Sequence, residues 1–148
     1  MVRLFLGEKM ATVNIKIEGT LLIASVVGDL SADEAIAVIK EHYPSGIVKD
    51  VIWDLTLGTM QSIPMDGFKA VANASKDSSS GSSRQGGKTV FVTNNADEYS
   101  LFCKYTAIAE VTGVPVQFNV FRDIDSAKNW IYGFCYSQTN SQDSKQNT

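Results

Sequence analysis

The sequence predicts a single α/β domain: a five-stranded mixed sheet, opened by a hairpin and continued by strand-helix units, with four helices. Three observations carry that prediction. Two apolar runs at the start are separated only by Glu18-Gly19-Thr20, which is turn length. From there to residue 134, short strand-like runs alternate with amphipathic helical stretches. The chain has 148 residues, 44% hydrophobic and 20% charged, enough to bury roughly 70% of its unfolded surface in one core.

Val13, Ile15 and Ile17 alternate with Thr12, Asn14, Lys16 and Glu18, the period of a strand with one wet face and hence an edge. The run Leu21 to Val27 is nearly all apolar, as in a strand covered on both sides, and Gly28-Asp29-Leu30 ends it. Ser31 and Glu34 form a capping box for a helix from Ala32 to His42. Ala32, Ala35, Ile36, Ile39 and Tyr43 give it one apolar stripe, and Pro44-Ser45-Gly46 stops it. Val51-Ile52-Trp53 reads as a short buried strand ending at Asp54. The next helix carries Pro64 in its first turn and Phe68, Val71, Ala72 and Ser75 inward. Residues 75–87, rich in Ser and Gly, have the composition of a flexible surface loop.

Thr89 to Val92 is the fourth strand. Asn95, with Glu98 three residues on, caps a third helix whose Leu101, Tyr105, Ile108 and Thr112 share a face, and Gly113 stands at its left-handed C-cap. Val116 to Phe121 alternates as the second edge strand, and Asp123 caps a last helix with Ala127, Trp130, Ile131 and Phe134 inward. Residues 1–10 read as an extension, 11–136 as the domain, and 137–148, without an aliphatic or aromatic residue, as a disordered polar tail.

Composition narrows the function. Thirteen Lys and Arg against sixteen Asp and Glu leave a formal charge of -3, too little bias to attract a polyanion, so nucleic acid is not an expected partner. Cys103, Cys135 and His42 cannot supply a four-ligand Cys/His zinc site, and no metal or cofactor is expected. The apolar run Leu4-Phe5-Leu6 is shorter than a secretory core, and no run approaches the ~18 residues of a membrane span, so the cytoplasm is the expected compartment. Gly86-Gly87-Lys88-Thr89 imitates the end of a phosphate loop, but it opens a strand where such a loop must open a helix, and it reads as a tight turn.

Open α/β sheets gather ligands beyond the carboxyl ends of their parallel strands. Those ends present Asp29, Asp54, Thr56, Asn94, Asn95 and Arg122 as the candidate ligand or partner rim. Asn95 also has the simpler reading of a helix cap.

The sequence Val27-Gly28-Asp29-Leu30-Ser31-Ala32-Asp33-Glu34, then Val51-Ile52-Trp53-Asp54-Leu55, then Gly87-Lys88-Thr89-Val90-Phe91-Val92, then Tyr105, Val120-Phe121-Arg122-Asp123 and Ala127-Lys128-Asn129-Trp130, resembles the STAS-like, SpoIIAA-like group. The resemblance implies a small domain of successive strand-helix units, related to anti-anti-sigma factors and to regulatory domains of anion transporters, that binds partners and does not catalyse. Such proteins carry an Asp-Ser-Ser-Gly-like segment before the second helix, where a kinase phosphorylates a serine. Here the stretch is Thr59-Met60-Gln61-Ser62-Ile63-Pro64-Met65-Asp66, which lacks the motif, and Thr59 and Ser62 are the nearest candidate hydroxyls.

Three functions stand in order of preference. The first is a non-enzymatic binding or regulatory module with a protein partner. The second is a site for an apolar or anionic metabolite on the rim. The third is an enzyme working through Asp29 and Asp54. Either edge strand leaves a homodimer open.

Overall fold

The computed structural model describes residues 11–133. The expectations for residues 1–10, Phe134, Cys135 and the polar tail lie outside the described residues. The alternating first run forms β1 (Thr12–Glu18), which turns at Gly19 and pairs antiparallel with β2 (Leu21–Asp29). β3 (Asp50–Thr59), β4 (Lys88–Val92) and β5 (Gln117–Phe121) then add in parallel, so the sheet order is β1-β2-β3-β4-β5. Both predicted edge strands are edges.

Helices α1 (Ala32–His42), α2 (Met65–Ser79) and α3 (Ala96–Thr112) are the crossovers between the parallel strands. Because the strands add one after another in one direction, crossovers of one hand place all three helices on one face. There Leu22, Ala24, Val51, Trp53 and Phe91 meet Ile39, Phe68, Val71, Phe102 and Tyr105 in the main core. Phe91 stacks on Phe102 at 4.6 Å and meets Tyr105 edge-on at 5.7 Å. Among the described residues the other face bears only α4 (Ile124–Tyr132), whose Ala127 and Ile131 cover Leu21, Ile23, Ile52, Val90 and Val92. Among the described residues no helix is long and apolar enough to cross a membrane.

The capping box of α1 closes as expected, with Glu34 N–H on Ser31 Oγ (3.1 Å) and Ser31 N–H on Glu34 Oε1 (2.9 Å). Pro44 sits in a 3-10 turn, Tyr43–Ser45, that prolongs α1 before Gly46 turns left-handed. α3 rotates from its expected stripe: Glu98, Phe102, Tyr105 and Ala109 are buried, and Leu101, Ile108 and Thr112 flank them.

Two expectations are corrected. β3 does not stop at Asp54. One extra residue bulges between the pairs Ser25–Asp54 and Val27–Leu57, after which pairing resumes to Asp29–Thr59. The resumed stretch needs Gly58, because a Cβ there would lie 2.8 Å from the Val26 carbonyl oxygen. The second correction concerns residues 75–87. Residues up to Ser79 are the last turns of α2, with Ser75 and Ser79 buried, and Arg84 is fully buried.

Arg84 Nη1 donates to the carbonyls of Lys49 (2.5 Å) and Lys88 (3.2 Å), and Nη2 donates to Thr89 Oγ1. Its guanidinium lies 4.6 Å from the ring centre of Tyr43, whose hydroxyl accepts the indole N–H of Trp53. Burial pulls the guanidinium pKa down and pushes the Tyr43 and Tyr105 phenols up. The Gly86-Gly87 turn belongs to the same arrangement. Gly86 is left-handed, and a Cβ on Gly87 would overlap the Lys49 carbonyl. Lys88 Nζ reaches the last carbonyls of α4, at Trp130 (3.0 Å) and Ile131 (3.2 Å).

Arg84→Ala should lower unfolding stability by about 2–4 kcal/mol in urea titration, because it opens a cavity and orphans buried acceptors. Arg84→Lys should rescue only in part, since an ammonium cannot reproduce the planar fork. Glu18, bonded to Lys128 and Lys16 at 3.0 Å each, has its carboxyl held below the ordinary range, chiefly by Lys128. That contribution is present above the ordinary carboxylate pKa and is lost as pH falls through the lowered value. An NMR titration should find Glu18 returning towards the usual range in Lys128→Ala.

Candidate functional site

The carboxyl ends of the parallel strands form two separate polar groups. The first lies where β2 and β3 end. Thr59 Oγ1 donates to Glu98 Oε1 (2.7 Å), Met60 N–H donates to Glu98 Oε2 (2.6 Å), and Gln61 N–H donates to Thr59 Oγ1 (3.0 Å). Glu98 is 2% exposed. It is the third residue of α3, and Asn95 caps its N–H at 3.0 Å. The other half of a capping box does not form: Asn95 N–H goes to Thr93 Oγ1 (3.1 Å), which frees the Glu98 carboxylate to hold the exit of β3. Beside this pin, Ser62 Oγ donates to Asp29 Oδ1 at 2.9 Å, and Leu30 N–H donates to the Thr59 carbonyl at 2.8 Å.

Both candidate phosphorylation hydroxyls therefore point at carboxylates. A phosphate on Thr59 would stand against Glu98, and one on Ser62 against Asp29, with Asp66 in the first turn of α2. The helix amides would have to offset that repulsion.

The second group is an open cleft of about 710 Å³ between the starts of α3 and α4, above the ends of β4 and β5. Asn94, Asn95 and Arg122 line it together with Tyr99, Asp123 and Ser126. Asn94, Asn95 and Arg122 are exposed, and Tyr99 is 51% exposed. Asp123 accepts the Ser126 N–H at 2.7 Å as the cap of α4, a bond that holds its carboxyl below the usual range.

The rim expected from sequence is thus divided. Asn94, Asn95 and Arg122 share the cleft, while Asp29 belongs to the Ser62 contact. Asp54 is inside β3, with Oδ1 accepting both the N–H (3.1 Å) and the Oγ1 (2.9 Å) of Thr56 across the bulge. Neither Asp54 nor Thr56 lines the cleft. Asp54 is level with Ser25, four residues before Asp29 on β2, a separation of roughly 13 Å along the strand. That separation keeps the two side chains out of hydrogen-bond reach of each other.

A narrow interior cleft between α1, α2 and the sheet, among Leu30, Ile39, Tyr43, Phe68 and Tyr105, offers about 20 Å³, room for one water-sized molecule. Among the described residues no group of three His, Cys, Asp or Glu is placed to hold a metal ion.

Glu98, Arg84 and Tyr99 are the residues that sequence reasoning missed. The Asn-x-x-Glu spacing signalled a cap and concealed the long-range role of the Glu98 carboxylate. A lone Arg within a Ser/Gly run was the only trace of Arg84.

No protein-family model matches the chain, and no curated protein matches it. Six solved chains do. One is the anti-sigma factor antagonist SpoIIAA in its unphosphorylated form, 13% identical, aligned over 70% of this chain and 100% of that one with a TM-score of 0.44. At that level the match records a likeness and carries nothing about activity. The strand order and register of this chain define its fold, and they agree with the hairpin followed by strand-helix units that the residue pattern predicted.

Glu98→Ala should cost about 2–4 kcal/mol by chemical denaturation, since it orphans the Met60 amide and the Thr59 hydroxyl. Glu98→Gln should cost less, because its amide oxygen still accepts one of them.

Proposed function

We propose that the chain is a non-enzymatic binding module, regulatory in character, whose partner is a protein and whose docking surface is the cleft between the starts of α3 and α4. The observation that carries this reading is the cleft's form: open, with exposed Tyr99 and Arg122 both in its lining. Tyr and Arg are the side chains that most often concentrate binding energy between proteins. The interior, filled by the core's own side chains, supports an apolar metabolite less well. The helix amides facing the cleft are partly satisfied by the Asn95 and Asp123 caps, which lowers their value as a free anion cradle.

A metabolite on the same rim is the second reading, and the cleft volume, within the ~300–1,000 Å³ of small-molecule sites, favours it. Asp54 and Thr56 drop out of this reading because they bond each other elsewhere. The test is a photo-crosslinking residue at Ser100, on the cleft wall, against a control at Val111 on the far part of α3. A discrete protein adduct specific to Ser100, with affinity reduced about tenfold or more by Tyr99→Ala or Arg122→Ala, supports the protein partner. A thermal shift with a small molecule, abolished by Arg122→Ala and unaccompanied by any adduct, would replace it with the metabolite.

A further inference from the structure

We propose that β1 is a self-pairing edge: two copies of the chain join antiparallel along Thr12–Glu18, centred on Ile15, to make one ten-stranded sheet. β1 pairs with β2 alone, so alternate N–H and C=O groups along its outer side have no strand partner among the described residues. The opposite edge is blunted. In β5, Gln117 N–H bonds the Gly87 carbonyl and the Phe121 carbonyl accepts Thr93 N–H, so residues 117, 119 and 121 face β4 and 118 and 120 face outward. The outward Val120 N–H is already taken by Asn119 Oδ1 at 2.8 Å. Among the described residues β1 has no such bond.

The pattern of β1 is complementary to itself. Val13 and Ile15 pack on the main core and Ile17 continues their face, 49% exposed, while Thr12, Asn14, Lys16 and Glu18 hold the other face. An antiparallel pairing keeps apolar on apolar only when the two paired residue numbers share parity. Centring on Lys16 sets Lys16 against its own copy, and centring on Asn14 leaves Ile17 and Glu18 unpaired. Centring on Ile15 pairs all seven residues: Val13 covers Ile17 of the second copy, Ile15 meets Ile15, Asn14 meets Lys16, and Thr12 meets Glu18. No like charges are directly opposed, and each Lys16 retains its 3.0 Å ion pair with Glu18.

Sedimentation velocity on the full chain over a wide concentration range tests this. The expected result is a reversible species of twice the 16.1 kDa monomer mass. Asn14 is exposed, so its variants leave the fold intact, which thermal melts of dilute protein verify. Asn14→Glu faces Lys16 of the second copy twice by symmetry and should tighten the dimer about 3–30-fold, and Asn14→Lys should loosen it by a similar factor. Ile17→Lys should also loosen it. A monomer at every concentration overturns the proposal, as does a dimer indifferent to residues 14 and 17. Weakening by both Asn14 variants, the sign of like charges meeting at Asn14, overturns the register.

Discussion

The central strand β3 is held at both ends by a buried charge. At its start the Arg84 guanidinium takes the Lys49 carbonyl, the Lys88 carbonyl and the Thr89 hydroxyl, joining the entries of β3 and β4 under the ring of Tyr43. At its exit the Glu98 carboxylate takes the Met60 amide and the Thr59 hydroxyl, joining β3 to the first turn of α3. Neither charge meets an opposite charge directly. Each is bonded by backbone and hydroxyl dipoles at a sheet end, an arrangement that lowers the cost of a buried ion without a salt bridge, although Arg84 Nε itself meets no partner among the described residues. Removing either one strands several groups at once.

What faces outward follows from these pins. Glu98 draws the segment after β3 against α3, which leaves the Asp29–Ser62 contact on one side and the cleft between α3 and α4 on the other. The bulge in β3 has a similar consequence. Asp54 and Thr56 bond each other where the extra residue is inserted, and beyond it Val27 and Leu57, 45% and 74% exposed, lie side by side. The polar character of the rim is thus divided between residues that hold the scaffold and residues exposed in the cleft.

Much of the fold was legible because its cues are local. The alternation of residues 12–18, the capping box at Ser31 and Glu34, the caps at Asn95 and Asp123 and the glycine at 113 act within a few residues, and each stands where sequence placed it. The misreadings occurred where a local cue was outvoted at long range. Asp54 and Gly58 look like strand breakers, yet β2 offers a pairing surface that carries β3 past them. Residues 75–87 look like solvent-loving chain, yet Arg84 gains enough from the Lys49 and Lys88 carbonyls, the Thr89 hydroxyl and the Tyr43 ring to order them.

By itself the sequence determined the number, order and boundaries of most elements, the single sheet and its two edge strands, because periodicity, caps and turns are short-range physics. Only the tertiary structure decided which rim residues meet. It gathered Asn94, Asn95 and Arg122 into one cleft, assigned Asp29 to Ser62 and Asp54 to Thr56, and spent Thr59 on Glu98. Such partnerships depend on where a strand ends and how two helices start beside each other, and no spacing along the chain encodes that distance.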